Sequence, residues 1–197
     1  MPRGLHQLRL HVDGAMRRSL RPPSSSAASS RSLSSQSAFT HVDADGRQPK
    51  MVDVGAKAVT RRSATARTTI RLPPAVLREL QRQGGSELAG PKGPIGATAI
   101  IAGVLGAKQT SSLIPFCHPL PLEDVQVRIT TPREDQIAIE CEVRVTHKTG
   151  VEMEALTGAS VAALCVYDMC KALSHDIVIE ETRLVSKRGG KRDVGPD

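Results

Sequence analysis

Residues 125–145 constrain the fold of this chain more tightly than any other stretch. Val125, Val127 and Ile129 alternate with Gln126, Arg128 and Thr130. Ile137, Ile139, Cys141, Val143 and Val145 then alternate with Ala138, Glu140, Glu142 and Arg144. A period of two puts each apolar set on one face of a strand. The link Pro132-Arg133-Glu134-Asp135 is short and turn-forming, so the two strands pair as an antiparallel hairpin. One apolar face per strand has to be covered, and helices are the natural cover.

The flanking segments supply those helices. A strand over 66–72 runs into Pro73-Pro74, and a helix is predicted over 74–83, stopped by Gly84-Gly85. A second helix over 95–107 carries Gly96, Ala97, Ala99, Ala102, Gly103 and Gly106, which predicts close backbone packing rather than a surface position. The longest helix is predicted over 150–173. Thr149 and Glu152 have the spacing of a capping box, and Val161, Leu164, Cys165 and Met169 form its apolar stripe. A last strand over 177–185 precedes a basic tail, 187–192. The order of elements gives an α+β domain, with helices on one face of an antiparallel sheet.

The net charge of +7 suggests a nucleic-acid partner until its distribution is considered. Residues 1–38 hold six Arg, no Lys and a single acid, Asp13, leaving the remainder only +2. RNA-recognition domains stack bases on aromatic side chains, and neither hairpin strand has one. No nucleic-acid partner is expected. No stretch approaches the roughly 20 apolar residues of a membrane span, so no membrane partner is expected either. Residues 1–38 read as a targeting presequence and linker. Leu5, Leu8, Val12 and Met16 share a helical face with Arg9, Arg17 and Arg18 elsewhere, and a Ser-rich stretch follows. That pattern predicts the mitochondrial matrix, with a plastid as the other organelle that fits. The catalytic domain is expected over 39–191, starting near Phe39, with a turn at Asp45-Gly46 and a C-terminal tail over 192–197. Cys117, Cys141, Cys165 and Cys170 contain no C-x-x-C pair and read as reduced thiols; no metal site and no cofactor is predicted.

Three segments carry polar groups that periodicity leaves unexplained. In Ser112-Leu113-Ile114-Pro115-Phe116-Cys117-His118-Pro119-Leu120, two prolines fix an extended loop presenting His118, which serves either structure or a ligand. In Lys148-Thr149-Gly150-Val151-Glu152-Met153-Glu154, capping explains Glu152 but not Glu154, which could accept from a guanine-like N–H edge. In Tyr167-Asp168-Met169-Cys170-Lys171, Asp168 and Lys171 share a helix face at i, i+3. They are either a surface ion pair or a partly buried pair with perturbed proton affinities, suited to acid–base work.

These three segments resemble those of the MoaC family, the cyclic pyranopterin monophosphate synthases. So do Thr40-His41-Val42-Asp43, Met51-Val52-Asp53-Val54, Lys92-Gly93, Ala97-Thr98-Ala99, Ile101-Ala102-Gly103 and Ala107-Lys108, in the family's order over residues 39–191. The resemblance implies a ferredoxin-like fold and homohexamers of dimers with sites at subunit interfaces. It implies a small-molecule substrate, 3′,8-cyclo-7,8-dihydroguanosine 5′-triphosphate, supplied by a radical enzyme and converted to cyclic pyranopterin monophosphate and pyrophosphate. It carries over Asp168, Lys92 and Lys171 as catalytic residues, and Phe116, Cys117, His118, Met153, Glu154 and Lys187 as substrate-binding ones. Lys108 and Lys191 are further cations for phosphate oxygens. The chain departs from the family at Ile100, where Arg is frequent, at Phe116, where Leu is usual, at His147, where Gly is common, and after Lys191. The other reading of the same resemblance is a catalytically inactive scaffold that has kept the fold.

Overall fold

A computed structural model describes residues 48–196. The expectations for 1–38, for a domain start at Phe39 and for the turn at Asp45-Gly46 lie outside the described residues. The first strand, β1 (Thr60–Arg71), passes through Leu72 and Pro73 into α1 (Pro74–Gly84). Pro74 sits at the first helical position, where its missing N–H costs nothing. Gly85 ends the helix at φ 60°, a conformation that only glycine adopts without strain. A 3₁₀ turn (Gly85–Glu87) leads to a two-residue hairpin, β2 (Ala89–Gly90) and β3 (Gly93–Pro94), with Pro91 and Lys92 at its tip. Then come α2 (Ile95–Lys108), α3 (Thr110–Leu113), β4 (Asp124–Arg133), β5 (Gln136–His147), α4 (Glu152–Cys170) and β6 (Val178–Arg188).

The four long strands form one sheet in the order β4-β5-β1-β6, antiparallel throughout. Each helical crossover skips over one strand, which is the ferredoxin-like arrangement the resemblance implied. Helix α4 packs on β1, β5 and β6, α2 packs on β4, and the two helices pack on each other. The core between them holds Ile70, Leu72, Ile95, Ile137, Ile139, Val143, Val145, Val151 and Val166. Thr68, also fully buried, is satisfied by the Thr182 hydroxyl at 2.8 Å.

Several boundaries differ from the sequence reading. Strand β1 begins six residues before the predicted start at 66, because both of its edges are paired although its first half has no apolar alternation. Strand β6 extends to Arg188, so Lys187 and Arg188 belong to the sheet rather than to a tail. The end of the chain folds back, with Lys187 and Val194 exchanging backbone hydrogen bonds at 3.0 Å. The apolar stripe of α4 is also corrected. Of Val161, Leu164, Cys165 and Met169, only Met169 is buried, and Leu164 is 59% exposed. The buried face is Ala155, Gly158, Ala159, Ala162, Ala163, Val166, Met169 and Cys170. By length and mean hydropathy α4 could cross a membrane, contrary to expectation, yet half of it is buried here as a core helix.

Small residues on α4 and α2 set how closely the helices approach the sheet and each other. A Cβ on Gly158 would lie 2.6 Å from Cys141 Sγ on β5, and one on Gly106 would lie 2.8 Å from Val161. Gly158→Val is therefore expected to destabilise the fold by about 1–3 kcal/mol through overpacking. Thermal melts check this, and an unchanged Tm would show that α4 has room to move off the sheet.

Candidate active site

The hairpin tip brings Lys92 to the C-terminal end of α4. Its ammonium donates to the Asp168 backbone carbonyl at 2.8 Å and to Asp168 Oδ2 at 3.1 Å. Lys171, one turn on, donates to Asp168 Oδ1 at 2.7 Å. The three residues expected to be catalytic thus form one cluster, with a lysine on each oxygen of a single carboxylate. Lys171 first and Lys92 second hold the Asp168 carboxyl below its ordinary range, and Asp168 in turn raises Lys171. The cluster is open to solvent rather than partly buried, with the Asp168 side chain 58% exposed. The neighbouring thiols are shifted toward the protonated form. Burial pushes Cys170 up to about 11, and burial followed by the charge of Asp168 raises Cys165.

The other site residues gather at the N-terminal end of α4. Phe116, Cys117 and His118 are half-buried in the loop after α3. The Cys117 amide closes a turn onto the Ile114 carbonyl at 3.1 Å. The Cys117 thiol is raised by burial and by the charge of Glu154, which places the loop against the first turn of the helix. Met153 is exposed there, whereas Glu154 is buried. Lys187 reaches over from β6 and donates to Glu152 Oε1 at 2.9 Å.

That last contact corrects the capping box. Val151 occupies the N-cap position and no side chain caps the helix. Glu152 is drawn to the lysine on the neighbouring strand, so Thr149 has no hydrogen bond whose loss would destabilise the helix start. Sequence spacing gave no signal for the Glu152–Lys187 pair, whose members are 35 positions apart.

Burial, opposed by its own backbone N–H and reinforced by the charge of Glu152, pushes Glu154 up to about 7 from an ordinary 4.5. The folded chain then holds this proton more tightly than the unfolded chain does. The contribution of Glu154 to stability therefore falls as pH rises from about 4.5 to about 7 and is flat above that. Glu154→Gln removes the fall. Denaturant melts should show the variant gaining roughly 3 kcal/mol over the parent at pH 8 and little at pH 4.5. Equal differences at both pH values would mean that Glu154 is not the titrating group.

Glu154 and Asp168 stand at opposite ends of α4. At 1.5 Å per residue their backbones are about 21 Å apart. Within one chain, then, the site residues form two clusters: Lys92, Asp168 and Lys171 at one end, and Phe116, Cys117, His118, Met153, Glu154 and Lys187 at the other.

A βαββαβ sheet carrying a lysine–carboxylate–lysine cluster at a helix end has the build of an enzyme acting on an anionic substrate. The family model described as "MoaC family" matches residues 51–190, and the chain belongs to that family. A cyclic pyranopterin monophosphate synthase of Xanthomonas oryzae pv. oryzae is 57% identical over 157 residues, covering 80% of this chain and 93% of the relative. The synthase of Xanthomonas axonopodis pv. citri matches to the same extent, 57% over 157 residues. A molybdenum cofactor biosynthesis bifunctional protein of Synechocystis is 46% identical over 160 residues, covering 79% of this chain and 45% of the relative.

Proposed function

We propose that this chain is a cyclic pyranopterin monophosphate synthase of molybdenum-cofactor biosynthesis, a lyase that turns 3′,8-cyclo-7,8-dihydroguanosine 5′-triphosphate into cyclic pyranopterin monophosphate and pyrophosphate. The observation that carries this reading is the convergence of Lys92 and Lys171 on the Asp168 carboxylate. The reaction opens one ring, rebuilds it as a pterin and closes a cyclic phosphate as pyrophosphate leaves. It moves several protons and makes no net change of oxidation state. An ionised Asp168 accepts protons, while the two ammonium groups return them and hold developing negative charge on phosphate oxygens. At the other end of the helix, Phe116, Cys117, His118 and Met153 form the wall of the substrate site. Glu154 meets the base edge, and Lys187, aimed by Glu152, neutralises phosphate.

One substrate cannot engage both ends of a single α4. This separation supports a site assembled from two copies, with the N-terminal end of one helix facing the C-terminal end of its neighbour's, in a homohexamer of dimers. Ile101 and Leu105 on α2 and Leu164 on α4, each more than half exposed, are surface of the kind that subunit contacts bury. The name of the Synechocystis relative, a bifunctional protein, supports a working partnership with the radical enzyme that supplies the triphosphate.

The test is turnover: purified chain incubated with the cyclic triphosphate should release cyclic pyranopterin monophosphate and pyrophosphate. A folded chain that releases neither is the inactive scaffold. Residues 1–38 are proposed to direct the chain into the mitochondrial matrix. A reporter carrying them should co-localise with mitochondria; a uniformly cytosolic signal, or plastid import, would refute that assignment.

A further inference from the structure

Lys187 lies on β6, an edge strand of the sheet. Its N–H donates to the Val194 carbonyl and its carbonyl accepts from the Val194 N–H, each at 3.0 Å. In an antiparallel sheet the N–H and C=O of one residue point to the same side, so both groups of Lys187 turn from β1 to the outer edge. There they meet a strap made by residues 189–196. Gly189 makes the turn into it at φ 78°, its N–H donates to Asp193 Oδ1 at 3.0 Å, and its carbonyl accepts from Thr60 Oγ1 at 2.8 Å. A Cβ on Gly195 would strike the Val185 carbonyl, so the strap lies close along the strand.

Arg188 clamps this strap. Its guanidinium donates to the carbonyls of Lys187 at 3.1 Å, Val194 at 2.7 Å and Gly195 at 3.4 Å, and to that of Pro196. Adjacent strand residues face opposite sides of a sheet. Lys187 pairs with Ala64, whose side chain is in the core, so the Lys187 side chain lies on the helix side, where it reaches Glu152 Oε1 at 2.9 Å. Arg188 pairs with Ser63 and lies on the other side. It holds the strap without touching a substrate bound at the start of α4. Asp193 and the carbonyls of Val194, Gly195 and Pro196 all come from the ending in which this chain departs from the family.

We propose that Arg188 is a positioning residue: by clamping residues 194–196 along β6 it fixes the backbone of Lys187, and so aims that ammonium at the phosphates of the substrate. The inference rests on the reading of Lys187 as a phosphate-binding residue. Without the strap, the N–H and C=O of Lys187 would open to water at a sheet edge, where strands fray first. A lysine on a fraying backbone loses more freedom on binding, which weakens the site.

The test is a double-variant cycle on the full chain: parent, Arg188→Ala, Lys187→Ala and both together. The KM of the cyclic triphosphate, calorimetric affinity for inorganic pyrophosphate and melting are measured on the same samples. Arg188→Ala is expected to raise KM and weaken pyrophosphate about tenfold, the order of one lost charge-assisted hydrogen bond, with kcat changed less than about twofold. In the Lys187→Ala background the same substitution should change either constant less than about twofold, because the residue it serves is gone. Val194→Pro removes the N–H that meets the Lys187 carbonyl and should reproduce the effect with Arg188 present; it carries the cycle if Arg188→Ala does not fold. Equal constants in the parent and Arg188→Ala would overturn the proposal. So would an effect of the same size in the absence of Lys187, which would leave the strap as a cover for the sheet edge. A chain that shows the coupling with pyrophosphate but forms no product would refute the proposed reaction and leave the role of Arg188 standing.

Discussion

Asp168→Asn is expected to lower turnover of the cyclic triphosphate at least about 100-fold, the usual loss when a positioned acid–base group is removed. The melting temperature should barely move. The Asp168 carboxylate is more than half exposed, and exposed ion pairs contribute little to stability. Asparagine keeps the shape, and its amide oxygen still accepts from one lysine. Lys92 also keeps its 2.8 Å bond to the backbone carbonyl at position 168, so the hairpin tip stays docked. Lys92→Ala should lose turnover to a similar degree. Two lysines hold Asp168 ionised across the neutral range, so it cannot produce an acid limb near pH 7 in the rate profile. Glu154, pushed up to about 7, can, and that limb should vanish in Glu154→Gln while persisting in Lys187→Ala. Turnover and melting measured on the same samples decide between mechanism and structure. A folded Asp168→Asn chain with near-normal turnover would reduce the cluster to a surface ion pair and retire the mechanism.

How much of this was legible in the sequence depends on the range of the interaction. The β4–β5 hairpin is a local pattern, and alternation placed both strands to within three residues, although β4 runs on through Pro132 and Arg133, which the reading gave to the link. Helix α1 was equally plain, because Pro74 and the Gly84-Gly85 pair mark both of its ends. The first half of β1 was not: Thr60 to Thr65 has no period-two pattern and is a strand because β5 and β6 flank it. The buried face of α4 was misread for a different reason. Leu164 is a larger side chain, but the close approach of the sheet leaves space there only for Ala and Gly, so Leu164 was turned outward and Val161 was set against Gly106 of α2.

The site divides along the same line. Asp168 and Lys171 are one turn apart, and their pairing could be read directly, although not their exposure. Lys92 lies 76 positions from Asp168, and no spacing rule connects the two; only the likeness to a family put them together. Glu152 is the reverse case. A local rule explained it as a cap, and the long-range partner Lys187 took precedence because a charged donor offers a carboxylate more than the unpaired N–H groups of a helix start do. The burial of Glu154, and with it the raised proton affinity, depends on a loop more than 30 positions earlier that covers the helix start.

The separation of the two clusters yields the most demanding prediction. If each site takes the N-terminal end of α4 from one chain and the C-terminal end from another, two inactive variants should restore each other. One chain carries Asp168→Asn; the other carries His118→Ala with Glu154→Gln. Each alone lacks one half of every site. In a mixed pair, one of the two symmetric sites combines both damaged ends and the other combines both intact ends. Random one-to-one assembly should then return about a quarter of the parent's turnover, since the two sites of a pair are related by a twofold axis. The two chains must be co-expressed with different tags and purified through both, because oligomers assembled separately would not exchange ends. Activity no higher than the sum of the two variants, in mixed oligomers shown to contain both chains, would mean that each α4 serves its own site. The cluster around Glu154 would then have to act without Asp168, and the assignment of Phe116, Cys117, His118, Met153 and Glu154 to the same substrate as Lys92, Asp168 and Lys171 would fail with it.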